Sequence, residues 1–216
     1  MDGNGDARPM REGTRQEAEF ARSYLAGFGE CLGGLSLHQV ADVIACLEEA
    51  YEAGRHVFVM GNGGSAATAS HMAVDLGKTV LPVPSNGARR FRVTSLTDNV
   101  PWMTAIANDL GYQHVFAEQL RNHVEAGDVV IAITGSGNSP NIVEGVRVAA
   151  EHGATTIALL GFDGGAVKDL VDLHVLVRSD HYGFIEDVHA MLSHLVTAYF
   201  KARIGLSLLD ERLTTS

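Results

Sequence analysis

From Val57 onward the chain alternates short runs of β-branched residues with helical segments, and this alternation limits its fold more than any other feature. The runs are VFVM, FRVTSL, DVVIAIT, TTIALLGF and LHVLVRS. Several are continuously apolar, the pattern of strands covered on both faces. Strands alternating with helices predict a parallel sheet joined by right-handed crossovers. The expected class is α/β, a three-layer sandwich around a five-stranded parallel sheet.

Before Val57 the period is helical. Thr14-Arg15-Gln16-Glu17 and Ser36-Leu37-His38-Gln39 both fit the capping box, in which a hydroxyl and a carboxyl or amide exchange bonds with first-turn amides. They open helical patterns over roughly 14–32 and 37–53, divided by Gly33-Gly34. The two read as an N-terminal hairpin over 14–54, and Phe20, Tyr24, Leu25, Phe28 and Leu32 form an apolar stripe that needs a partner. Residues 1–13 read as a flexible tail without an apolar signal core, and GFIEDVHAMLSHLVTAYFKARIG as one long closing helix. With no linker-like stretch, 14–216 is expected to be one domain, its α/β core over 55–205.

A chain of 216 residues can bury one sizeable core. No apolar run approaches the roughly 20 residues that span a bilayer, so no membrane role is expected. A net charge of −10 argues against nucleic acid as a partner, since nonspecific binding relies on basic surface. Cys31 and Cys46 lack CxxC spacing and read as reduced thiols of a cytoplasmic protein. An anionic ligand is still allowed, because amides and hydroxyls hold phosphate without net positive charge.

Two Gly-rich turns point to such a ligand. GNGGS follows Val57–Met60, and TGSGNSP follows Asp128–Ile133. In doubly wound folds, ligands bind at the carboxyl ends of strands, where helix N-termini present amides. Ser65, Thr134, Ser136 and Ser139 add hydroxyls; Ser139 is placed to cap the next helix, with Pro140 at its first position. Gly61, Gly63 and Ala66 also fit a loose dinucleotide fingerprint, but Asp98 comes too late to be its acidic partner and the phosphate-loop lysine is missing. Two such turns suggest one polyhydroxylated, phosphorylated ligand.

Four motifs in order, GNGGSAATASHMAVDL, ANDLGYQHVFAEQL, GSGNSPNIVEGVRVAAEHGATTIALLGFDGG and EDVHAMLSHLV, resemble the sugar isomerase (SIS) domain family, specifically its phosphoheptose isomerase branch. The likeness covers about residues 14–205 and implies the flavodoxin-like, doubly wound SIS fold. By residue match it implies that Asn62, Gly63, Gly64 and Ser65, with Thr134, Gly135, Ser136 and Ser139, bind the sugar phosphate. Asn108 and Asp109 match a substrate-binding pair, and Glu186 is expected to contact the substrate as well. The branch also implies one zinc ion per subunit, here on His71, Asp75, Glu186 and His194. His71 and Asp75, at i and i+4, share one helical face. Glu186 and His194 are about 12 Å apart along a helix, so they share a metal only if their side chains converge.

The chain departs from the branch at four places. Asp75 stands for a longer glutamate, Glu186 for a glutamine, Gly135 for a hydroxyl residue and Thr79 for an arginine. Phosphate charge would then fall to Lys78, Arg90, Arg92 or a neighbouring subunit. The resemblance implies aldose–ketose isomerisation of sedoheptulose 7-phosphate through an enediol(ate), with Asp75 and His194 exchanging protons, zinc polarising the substrate oxygens, and a homotetrameric assembly. Two alternatives stay open: a non-catalytic SIS protein that senses a sugar phosphate or binds a replication initiator, and an isomerase of another sugar phosphate such as arabinose 5-phosphate.

Overall fold

The computed structural model describes residues 14–81, 87 and 89–214, with side chains as far as Gly205. The tail expected over 1–13 lies outside the described residues. Two helices come first, α1 (Arg15–Gly33) and α2 (Leu37–Ala53), followed by β1 (His56–Gly61) and α3 (Gly64–Val74). Next are β2 (Arg92–Ser95), α4 (Val100–Asp109), α5 (Ala117–His123), β3 (Val129–Thr134) and α6 (Pro140–Glu151). The chain ends with β4 (Thr155–Gly161), β5 (Leu173–Val177) and the 33-residue α7 (Tyr182–Thr214), which runs beyond the expected closing helix.

All five strands are parallel, in the order β2-β1-β3-β4-β5. Register aligns Val59 with Ile131 and Ile131 with Ile157. Successive side chains point to opposite faces, and both faces are covered. Val57, Val59, Ile131, Ile133 and Leu159 pack under α2, α3 and α7 with Leu47, Met72 and Leu192. Phe58, Met60, Val130, Ala132 and Leu160 pack on the other side with Phe116, Leu120, Ile142 and Val146. That is why these strands read as continuous apolar runs. β2 is an edge strand, with only Ser95 buried.

The strand order fixes where a ligand can enter. β1 and β3 are neighbours, yet α3 leaves toward one face and α6 toward the other. A crevice opens beyond the strand ends at such a switch point. The loops after β1 and β3 flank it.

The capping boxes are only partly realised. Ser36 accepts from the Gln39 amide at 3.3 Å, whereas Thr14 makes no side-chain capping bond at the start of α1. The Gln39 side chain does not return to Ser36. Its carbonyl accepts from Leu176 N at 3.3 Å and its amide contacts His174 Nε2 at 3.2 Å. It thus covers part of the outer edge of β5, where strand amides would otherwise lack partners. The apolar stripe of α1 also divides: Tyr24 and Phe28 meet Phe184 of α7, while Phe20 is 72% and Leu25 66% exposed.

On α7, His189 is buried, with Nε2 3.2 Å from the Leu160 carbonyl and Nδ1 without a partner among the described residues. Burial pushes its pKa down to about 4, against the opposing pull of that carbonyl. The unfolded chain therefore takes up the proton first, and protonation favours unfolding. Stability present above the unfolded value of about 6.5 is lost as pH falls toward 4. Between pH 7 and 4.5 this residue should remove about 2 kcal/mol of unfolding free energy. His189→Gln keeps a donor without titrating, so urea unfolding at the two pH values should show a smaller acid loss. Equal acid losses in both proteins would show that His189 does not titrate this way.

Candidate active site

The first loop is built for close approach. Gly63, at φ 55°, turns the chain from β1 into α3. A Cβ on Gly64 would sit 2.7 Å from Glu186 Oε1, so only glycine lets this carboxylate rest against the first turn of α3. A negative charge is favourable at that end of the helix dipole. Asn62 and Asn141 exchange side-chain hydrogen bonds, Nδ2 to Oδ1, at 2.9 and 2.8 Å. Tyr112 adds its hydroxyl to Asn62 Oδ1 at 3.0 Å. This clasp ties the first loop to the start of α6.

The second loop is braced by its own side chains. Gly137 N donates to Thr134 Oγ1 at 3.2 Å, and Asn138 N to Ser136 Oγ at 3.3 Å. Gly137 passes so close to the next loop that a Cβ there would lie 1.9 Å from the Gly164 carbonyl oxygen. Ser139 holds the N-cap position of α6, but its hydroxyl makes no capping bond, contrary to expectation. The amides of Ile142 and Val143 go to the Ser139 backbone carbonyl instead, each at 3.0 Å.

Between the loops lies a cleft with an empty volume of about 420 Å³. Asn62, Ser65, Thr134, Gly135, Ser136, Ser139 and Glu186 line it, together with Ile133 and Tyr182. Gly63 and Gly64 are not among its lining residues, though Gly64 lies against the Glu186 carboxylate. Asn108 and Asp109 do not line it. They sit exposed at the end of α4, joined by an Asn108 Nδ2 to Asp109 Oδ1 bond of 2.8 Å, three residues before Tyr112 and its bond to Asn62. Arg92 is at the other end of the sheet: it pairs with the first residue of β1 and donates to the Gly54 carbonyl at 3.2 Å. In its own subunit it cannot meet phosphate in this cleft.

Farther along α3 is a second cluster. His71 Nε2 lies 3.5 Å from Asp75 Oδ2, His194 Nε2 lies 4.0 Å from the same oxygen, and the two Nε2 atoms are 3.4 Å apart. Asp75 is buried and both histidines are exposed. Asp75 also opens a π-helical turn, Asp75–Thr79, in which Val80 N reaches the Asp75 carbonyl at 3.1 Å. Such turns recur at functional sites.

Two nitrogens bound tetrahedrally to zinc at 2.0–2.1 Å are about 3.4 Å apart, and two histidines with one carboxylate form a known catalytic donor set that leaves a position open. This triangle therefore fits a zinc-sized ion. Glu186 is not part of it; its carboxylate lies against Gly64, two helical turns before His194. The structure gathers three of the four residues expected to share a metal and places the fourth in the cleft.

Three residues that no local pattern singles out complete the site. Tyr112 and Asn141 reach Asn62 from segments 50 and 79 residues away, and Tyr182 enters the cleft from the start of α7.

Comparison with known proteins identifies the family and fold. The SIS domain profile matches residues 35–161. The phosphoheptose isomerase of Citrifermentans bemidjiense is 37% identical over 158 residues, covering 73% of this chain and 80% of that one. The solved phosphoheptose isomerase from Neisseria gonorrhoeae superposes with a TM-score of 0.76 at 29% identity, over 89% of this chain and 100% of that one. Its counterpart from Francisella tularensis gives 0.77 at 27% identity with the same coverage. The chain belongs to the SIS domain family, in its phosphoheptose isomerase branch.

Proposed function

We propose that this protein is a sugar-phosphate isomerase that converts sedoheptulose 7-phosphate to an aldoheptose 7-phosphate by proton transfer through an enediolate. The observation that carries this reading is the layout of one helix. The first turn of α3 places Ser65 in the hydroxyl-lined cleft, and its last turns and the π-helical turn that continues them present His71 and Asp75 to His194. A ligand anchored at the cleft by its phosphate end can extend its other end toward these titratable groups.

In this reading Ser65, Thr134, Ser136 and Ser139 hold the phosphate with hydroxyls and loop amides. Asn62 is fixed by its clasp, and Glu186 accepts hydrogen bonds from sugar hydroxyls. Asp75 and His194 exchange the protons at C1 and C2, the positions an aldose–ketose isomerase must deprotonate and reprotonate. His71, Asp75 and His194 would hold one zinc ion per subunit, which supplies Lewis-acid polarisation of the substrate oxygens when bound. Asp75 is shared among these tasks, so its carboxylate must exchange partners during turnover. The exposed Phe20 and Leu25 of α1 suit a homotetramer interface, and the reading is of a cytoplasmic enzyme. No described helix is long and apolar enough to cross a membrane.

The test is incubation with sedoheptulose 7-phosphate in deuterated water. Aldoheptose 7-phosphate should form, with solvent deuterium entering at the reacting carbon, and the configuration at C2 identifies the product. Binding with neither turnover nor exchange would replace the enzyme reading with that of a sugar-phosphate sensor.

A further inference from the structure

We propose that Tyr182 contacts the ligand: its ring takes the space over Gly135, and its hydroxyl donates a hydrogen bond to the phosphate. This inference rests on the cleft between the two loops being the phosphate site.

Gly135 lies between Thr134 and Ser136, so it interrupts a row of hydroxyl side chains. A Cβ at this position would sit 3.0 Å from Tyr182 Cε1 and 3.5 Å from Cδ1. The first distance is shorter than the separation of about 3.5–4.0 Å at which carbon atoms attract best, and the second is ordinary contact. A side chain at 135 would therefore crowd the ring, which would have to shift to make room.

The ring is held from behind. Phe162 meets it edge to face, with centroids 4.9 Å apart. Phe162 has φ 51°, the only positive value at a non-glycine among the described residues. A bulky residue adopts this conformation only where its surroundings enforce it, and such outliers cluster at ligand sites. Tyr182 and Glu186 are i and i+4 on α7, so they share one helical face, and both line the cleft.

The chemistry favours a donor here. Among the described residues, the cleft lining contains one carboxylate, Glu186, and no lysine or arginine. An ionised carboxylate only accepts hydrogen bonds, whereas a phenol donates through its O–H. Tyr182 thus restores on α7 the hydroxyl that Gly135 lacks.

Calorimetric titration with sedoheptulose 7-phosphate and with unphosphorylated sedoheptulose tests this, using Ser139→Ala to report on the cleft. Tyr182→Phe keeps the ring and should weaken the phosphate ester about tenfold or more, the scale of a hydrogen bond to a charged group, while leaving sedoheptulose unchanged. Gly135→Ser should also weaken the ester, because its side chain displaces the ring. Combined with Tyr182→Ala, Gly135→Ser should bind the ester more tightly than either single variant, a non-additivity that requires shared space. Wild-type affinity in Tyr182→Phe alongside weakened Ser139→Ala would overturn the role of Tyr182 and leave the cleft intact. Equal losses for both ligands would overturn the phosphate contact, and additive losses in the double variant would overturn the space sharing. No effect of either Ser139→Ala or Tyr182→Phe on the preference for the ester would overturn the phosphate placement itself, and this proposal with it.

Discussion

His194→Gln is expected to fold and to bind sedoheptulose 7-phosphate, yet to turn over about 10²–10⁴-fold more slowly, the usual scale for losing a positioned acid or base. The side chain is more than half exposed, so its removal opens no cavity in the core. Glutamine has similar reach and polarity but cannot relay a proton. His194 Nε2 is 3.4 Å from His71 Nε2 and 4.0 Å from Asp75 Oδ2, so the variant should be assayed at saturating zinc to separate proton transfer from metal loss. Deuterium exchange at the reacting carbon should fall in step with turnover. Normal isomerisation by His194→Gln would leave the fold and family in place and remove His194 from the chemistry.

The central strands were readable because β1, β3 and β4 are each covered by helices on both faces, so nearly every residue had to be apolar. β2 and β5 lie at the edges, and β2 shows this least, with only Ser95 buried. Capping boxes proved less informative. Gln39 fits the motif after Ser36, but its side chain serves the edge of β5, 137 residues away at Leu176. The two loops were legible for a local reason: a strand that ends in glycines and hydroxyls advertises a ligand turn. What braces them was not legible, because Asn141 and Tyr112 meet Asn62 only after the chain has crossed the sheet. Helical rise limits the metal set in the same way. His71 and Asp75 are one turn apart, whereas eight residues separate Glu186 from His194, about 12 Å along the axis. α7 thus sends Glu186 to the cleft between the loops and His194 to the cluster with His71 and Asp75.

Protein purified without chelator is expected to hold about one zinc per chain on the His–Asp–His triangle, and His71→Ala should bring that content close to zero after dialysis. The sequence contains its own control. His38 and Asp42 have the same i, i+4 spacing as His71 and Asp75, and their side chains are closer, at 3.0 Å against 3.5 Å. What they lack is a third donor: among the described residues only His71, Asp75 and His194 bring three such ligand atoms within 4.8 Å of one another. If helical spacing alone held the metal, His38→Ala would lower zinc content as much as His71→Ala. If the third donor from α7 is required, His38→Ala should leave the content unchanged. Full occupancy in His71→Ala would remove this residue from the ligand set. Turnover that survived complete chelation in the wild type would show that the carboxylate and imidazole complete the proton transfers without a metal's help, and the triangle would then be a proton relay rather than a zinc centre.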